Sequence, residues 1–218
     1  MAARIYRRNS TEFDRGVQFF DAIYGFAITL LITTVHLPPT AAWRSLGSLF
    51  GSALPSELFG FVLSFVVIAV FWRENYLLVS SLKAMDSVIL VANIVCAFFI
   101  VLITFSTQAL HAPSTSGLPL PVDLYALNIA LASIAQIVMF ALAQRRGLSI
   151  PAAVPRSGWW LRTVARVVVP AVFLLSIPVA FFWGVQAAQY SWASLLVFVP
   201  LIRLVRRAGN RATSAPVT

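Results

Sequence analysis

Charge is scarce in this sequence. Asp, Glu, Lys and Arg together supply 11% of its 218 residues, against about 25% in an ordinary soluble domain. A soluble fold of this length cannot hide a chain that is 60% hydrophobic, so the composition excludes a soluble domain. Cysteine is almost absent. Cys96 stands alone, which rules out an intramolecular disulfide, and its apolar neighbours predict a small buried side chain. With a lone cysteine and only His36 and His111, no Cys/His cluster has zinc-ligand spacing, and no metal or cofactor site is expected. Neither H-E-x-x-H, nor G-x-S-x-G, nor a Gly-rich phosphate loop occurs, and no enzymatic activity is expected. A cleavable signal peptide is not expected either. The first apolar run is too long, carries Asp21 and lacks a small-residue cleavage site.

What is present is a series of long apolar runs. A bilayer core takes about 20 mostly apolar residues per helix, and six segments meet that length. They are Gly16–Leu37, Leu58–Ser80, Ser87–Leu110, Leu124–Ala143, Leu161–Trp183 and Val185–Val205. The expectation is an all-α integral membrane protein, with one six-helix domain over residues 1–207 and a polar, disordered tail over 208–218. Pro170 and Pro178 fall inside the fifth span and predict a bend. The link between spans five and six is short enough to predict a tight helical hairpin. The stretch HAPSTSGLPLPVD predicts an irregular connection between spans three and four.

The net charge of +9 is best explained by its distribution. With both termini cytoplasmic, every basic residue except Arg44 falls on the cytoplasmic side, the bias that sets membrane orientation. Contact with anionic membrane lipid is a second role for these charges. Nucleic acid is not an expected partner. The six tryptophans lie mostly near span ends and read as interfacial anchors. His36 and His111 fall near the outer surface and read as wetted interfacial side chains.

The first span, RGVQFFDAIYGFAITLLITTVHLP, is unusual for a membrane helix because it holds Asp21, Thr29, Thr33 and Thr34. Upstream, Thr11 and Asp14 have the spacing of a capping box. Asp21 must be wet or partnered, and the candidate partners are Arg15 or a donor on a neighbouring helix. At about 100° per residue, Phe26, Leu30, Thr33 and Leu37 form one stripe. Thr29 flanks it, and Phe19 and Ala22 continue it downward. Asp21 points roughly 140° away. Each threonine has a plainer explanation too, a hydroxyl bonded to the carbonyl one turn back.

The run R-x-x-x-F-F-D-A-I-Y-G-F-A-I-T-L-L resembles the first-helix signature of the TMEM175 potassium-channel family. Arg15, Phe19, Asp21, Thr29, Leu30 and Leu31 match it. Phe20 stands where the family usually has serine, and Phe26 where an aliphatic residue is usual. L-S-F-V-V-I-A-V-F-W, ending at Trp72, is similar to the family's second helix, with Asn75 in place of its usual histidine. Asn93 and T-F-S-T resemble its third helix, and L-Y-A-L-N the start of its fourth. The likeness covers about the first two thirds of the chain.

That resemblance implies six helices per chain and a homotetramer in the cell membrane, its central pore lined by the first helix. It implies a potassium-selective, leak-like channel, with K+ as the permeating ion. Phe26 would take the hydrophobic constriction, Thr29 the adjacent threonine layer, and Leu30 and Thr33 the continuing wall. Arg15, Phe19 and Asp21 would belong to the signature cluster that locks helices together. No T-V-G-Y-G carbonyl filter occurs in the sequence. Side chains must therefore sort the ions, because helix carbonyls are already used internally. A small secondary transporter or a proton-permeable channel is the alternative.

Overall fold

The computed structural model describes residues 5–112, 114–115, 117–150, 159–192 and 195. Its main elements are strand β1 (Ile5–Arg7), α1 (Thr11–Leu30), a 3-10 turn (Leu31–Thr34), and a second 3-10 turn (Thr40–Arg44). These are followed by the short α2 (Leu46–Phe50), α3 (Leu54–Ser80), β2 (Ala84–Asp86), α4 (Ser87–His111), α5 (Pro119–Arg145) and α6 (Trp159–Trp183). Among the described residues, four helical segments are long and apolar enough to cross a membrane, Thr11–Thr34, Leu54–Ser80, Ser87–His111 and Pro119–Arg145, and Val167–Trp183 is a shorter apolar helix.

Local sequence explains the helix boundaries. Asn9 turns the chain out of β1 with φ 71°, a conformation asparagine tolerates better than most residues. Ser10 then caps α1, its hydroxyl accepting from the Phe13 amide at 3.3 Å. This corrects the Thr11/Asp14 box by one residue. Glu12 and Asp14 sit in the first turn, where the helix dipole favours carboxylates. Helices α3 and α5 begin several residues before their expected starts at Leu58 and Leu124. Pro55 and Pro119 occupy their first turns, where a missing N–H costs nothing. Of the prolines in the stretch expected to be a loop, Pro119 and Pro121 lie in the first turn of α5.

Strand β1 pairs antiparallel with β2 in the register Ile5↔Asp86, Tyr6↔Met85 and Arg7↔Ala84. Leu82 bridges to Ser149 beyond α5. This small sheet is an addition to the expected helical bundle. Three-residue strands have too little periodicity to read from sequence, and their pairing joins segments far apart in the chain. Asp86 binds the sheet to the bundle. Its carboxylate caps α4 through the Val88 and Ile89 amides and pairs with Arg146. Arg8 adds a bond to the Ser80 carbonyl at 2.6 Å. We call this the basic end of the molecule.

Helices α4 and α5 form the centre of the bundle. Cys96, Ile100, Ile103, Tyr125, Ala126, Ile129 and Ala130 are fully or almost fully buried there. The Cys96 thiol meets the Tyr24 hydroxyl at 3.7 Å. Buried hydroxyls join α3, α4 and α5: Thr107 lies 2.7 Å from Ser64, and Ser64 lies 3.2 Å from Tyr125. Such bonds hold helices together where lipid gives no hydrophobic driving force. Pro170 and Pro178 both lie within α6. Gly184 breaks the helix with φ 91°, and 185–192 is helical again. Trp192 folds back on α6, donating to Ser176 at 2.8 Å. The rest of the expected sixth span, and the tail 208–218, lie outside the described residues apart from 195.

At the end opposite the sheet, α3 and α4 meet at Gly60. A Cβ there would lie 2.1 Å from the His111 ring. His111 is therefore packed against a helix and not simply wetted, and its Nε2 is buried without a partner. Gly60→Ala is expected to lower stability by about 1–3 kcal/mol through this clash. Thermal unfolding in detergent reads the loss, and adding His111→Ala should recover most of it.

Candidate functional site

Helix α1 has two unlike faces. Phe13, Phe20, Tyr24, Ala27, Leu31 and Thr34 are buried against the rest of the chain. Their alternating spacings of three and four residues, after the first gap, are those of a helix packed along one side. On the other side Phe19, Phe26, Leu30 and Leu37 are uncovered, Phe26 to 69% and Leu37 to 88%. Thr29 and Thr33 are exposed with them. As far as Thr33 this is the stripe expected from the helical wheel; Leu37 is exposed but lies beyond the helix, because Val35 turns extended after Thr34, which corrects the expected helical end at Leu37. An apolar face carrying hydroxyls that none of the described residues covers is the feature that most needs an explanation.

The threonine hydroxyls are oriented by the backbone. Thr29 Oγ1 donates to the Phe26 carbonyl at 3.0 Å, and Thr33 Oγ1 donates to the Leu30 carbonyl at 2.6 Å. The plainer explanation of the threonines therefore holds, and it does not conflict with the other. A hydroxyl has one proton and two lone pairs. With the proton committed to the helix, each oxygen offers acceptor density alone, which suits a cation. Along the axis, Thr29 lies about 5 Å beyond Phe26.

Asp21 faces away from this stripe and meets a neighbouring helix. Trp72 Nε1 on α3 donates to its Oδ1 at 2.9 Å. Of the two candidate partners, the donor on a neighbouring helix is the one present. Trp72 is thus more than an interfacial anchor. Arg15 is exposed and forms no ion pair among the described residues. Phe19 is also exposed, with its ring edge-on to its neighbour Phe20 at 5.5 Å between centroids. The packing contact of this segment comes from Phe20, which is 1% exposed, the residue that stands where the resembled signature has serine. Trp72→Phe keeps the ring and removes the donor. It is expected to cost about 1–2 kcal/mol, read as a lower melting temperature that Asp21→Asn, which keeps an acceptor, does not share.

Sequence reasoning missed Glu57. This carboxylate lies in the first turn of α3 and is 4% exposed. It accepts from the His36 backbone amide at 2.6 Å, and His36 Nδ1 lies 3.5 Å from its other oxygen. The signal was available, since a lone acid at the head of an apolar span needs the same explanation as Asp21. Among the described residues no group of three or more His, Cys, Asp and Glu side chains is placed to hold a metal ion.

Comparison with known proteins gives a consistent result. The family model described as endosomal/lysosomal potassium channel TMEM175 matches residues 15–103, from the signature arginine through most of α4. A potassium channel of Chryseobacterium sp. (strain P1-3) is 25% identical over 121 residues, 56% of this chain. The match spans 59% of that relative's length. The fold resembles the crystal structure of a lysosomal potassium-selective channel TMEM175 homolog from Chamaesiphon minutus. The TM-score is 0.66 at 18% identity, over 90% of this chain and 99% of that one. A variant of the potassium channel MtTMEM175, crystallised with a nanobody–MBP fusion, has a TM-score of 0.55 at 17% identity. Coverage there is 96% of this chain and 97% of the other.

Proposed function

We propose that the chain is a member of the TMEM175 family, a family of ion channels and not of enzymes whose model matches residues 15–103, and that it is a potassium-selective, leak-like channel of the cell membrane. Four copies assemble around an axis, and α1 of each lines the pore. The basic end, with both termini, is cytoplasmic. The observation that carries this reading is the uncovered face of α1, where Phe26, Thr29, Leu30 and Thr33 are exposed while the opposite face is buried. A helix that buries one side in its own bundle and leaves a Phe/Thr/Leu stripe bare needs a second environment for that stripe. Copies of itself around a water-filled axis provide one.

In this arrangement a ring of Phe26 side chains forms the narrow apolar constriction, which gates by excluding water. The Thr29 ring next to it replaces part of the hydration shell of a passing ion. Potassium sheds its water more readily than sodium, so a narrow and weakly coordinating ring favours it. Leu30 and Thr33 continue the wall. No carboxylate lies on the stripe, so strong divalent binding is not expected. Asp21, through Trp72, ties the pore helix to α3 away from the axis. We assign Arg15 and Phe19, bare within one chain, to contacts between neighbouring subunits.

The test is the reversal potential of purified protein in planar bilayers, with potassium on one side and sodium on the other. A shift toward the potassium equilibrium potential is expected. A current with no preference between the ions overturns the selective-channel reading. Saturable, substrate-coupled flux in liposomes with no passive current would identify a transporter.

A further inference from the structure

The α-helical part of the pore helix stops at Leu30, and Leu31–Thr34 continue as a tighter 3-10 turn. Local sequence favours this change. Ile32, Thr33, Thr34 and Val35 are all β-branched and are poor helix formers. Leu37, before Pro38, is biased out of the helical region. The geometry of the turn matters for the exposed stripe. Side chains at i and i+3 eclipse in a 3-10 helix, so Thr33 sits directly over Leu30. If residues 31–33 relaxed to α-helix, Thr33 would turn by roughly 60° and drop by roughly 1.5 Å. It would then leave the line of Leu30.

The turn packs against α3 and α4 through the buried Leu31 and Thr34, and a hydrogen bond to α3 marks its end. Val35 is extended, and its amide still bonds back to the Ile32 carbonyl at 3.2 Å. The next amide, His36 N–H, would continue the helix if it turned inward. Instead it donates to the buried Glu57 carboxylate at 2.6 Å. Glu57 is itself fixed. It lies in the first turn of α3, where the helix dipole favours an acid, and α3 is pinned to α4 one turn further on by His111 over Gly60. A carboxylate with 4% exposure at the end of a span is costly unless it is used, and holding the His36 backbone is its use here.

We propose that Glu57 is a positioning residue for the ion pathway. By capturing the His36 amide it stops the helix in its 3-10 turn, and so sets the height and direction of the Thr33 hydroxyl. This inference rests on the reading of α1 as the pore lining. Glu57 touches no ion; it acts through the backbone of residues 31–36.

Two variants and two readouts test it. Glu57→Leu removes the acceptor, and Glu57→Gln keeps one. Hydrogen–deuterium exchange on the full-length protein reads the anchor directly. In Glu57→Leu the His36 amide should exchange about tenfold faster or more, with residues 31–35 following, while Glu57→Gln stays close to wild type. Bi-ionic reversal potentials read the pathway. Glu57→Leu should lower the potassium-to-sodium permeability ratio about threefold or more, and Glu57→Gln should restore it. Unchanged exchange in Glu57→Leu overturns the anchor. Faster exchange with an unchanged permeability ratio overturns the pathway role. A glutamine variant that behaves like leucine shows that charge, not the backbone bond, is what matters, and also overturns it. Absence of flux in the wild type overturns the channel reading and the pathway role with it, while exchange still decides whether Glu57 holds the turn.

Discussion

Phe26→Ala is expected to raise single-channel conductance about tenfold or more. In the proposed tetramer four phenylalanines at one level leave little room for water, and an ion in such a gap has lost its hydration without gaining a ligand. Each 1.36 kcal/mol removed from that barrier multiplies the rate by ten. Replacing four benzyl groups by methyl groups widens the gap enough for water to stay in it. Among the described residues Phe26 is 69% exposed, so the substitution should leave the melting temperature of the bundle almost unchanged. That pairing of a large functional effect with a small stability effect distinguishes a pore residue from a packing residue. Phe20→Ala is the control. At 1% exposure it should cost about 3–5 kcal/mol and reduce the yield of folded protein. Unchanged conductance in Phe26→Ala would remove Phe26 from the constriction.

Thr29→Ala is expected to abolish most of the potassium preference while current persists. The Thr29 hydroxyl already gives its proton to the Phe26 carbonyl, so the variant removes an oriented oxygen and leaves the helix hydrogen bonds intact. Each tenfold loss in permeability ratio moves the bi-ionic reversal potential by about 59 mV, well within what a bilayer recording resolves. Thr29→Ser, which keeps the oxygen, should hold the wild-type value. A reversal potential that does not move in Thr29→Ala would mean that selectivity arises elsewhere, with Thr33 as the next position to vary.

Much of the candidate site was legible because a helix has a fixed angular period. Once Gly16–Leu37 is taken as helical, the relative directions of Phe26, Thr29, Leu30 and Asp21 follow without any coordinates. The stripe and the opposed carboxylate agree with the structure for that reason. The same reasoning could not say which face is buried. Phe19 and Phe20 are adjacent and chemically identical, yet one is bare and the other almost fully enclosed. Only the placement of α3 and α4 against α1 separates them. Trp72 was read as an anchor because span-end tryptophans usually are. Its bond to Asp21 depends on two helices meeting at one height, which no single-helix pattern encodes.

What the sequence determined by itself was the solvent and the long elements. Hydropathy decides whether a chain belongs in lipid, charge asymmetry gives an expected orientation, and periodicity divides a helix into faces. These are sums or local angles along one chain. Tertiary structure decided the contacts between distant segments. It paired Ile5–Arg7 with Ala84–Asp86, placed His111 over Gly60 and brought Glu57 to the end of the 3-10 turn that follows α1. Each of those contacts depends on a directional bond or a close fit between segments with no shared period. Their geometry exists only once the helices have packed.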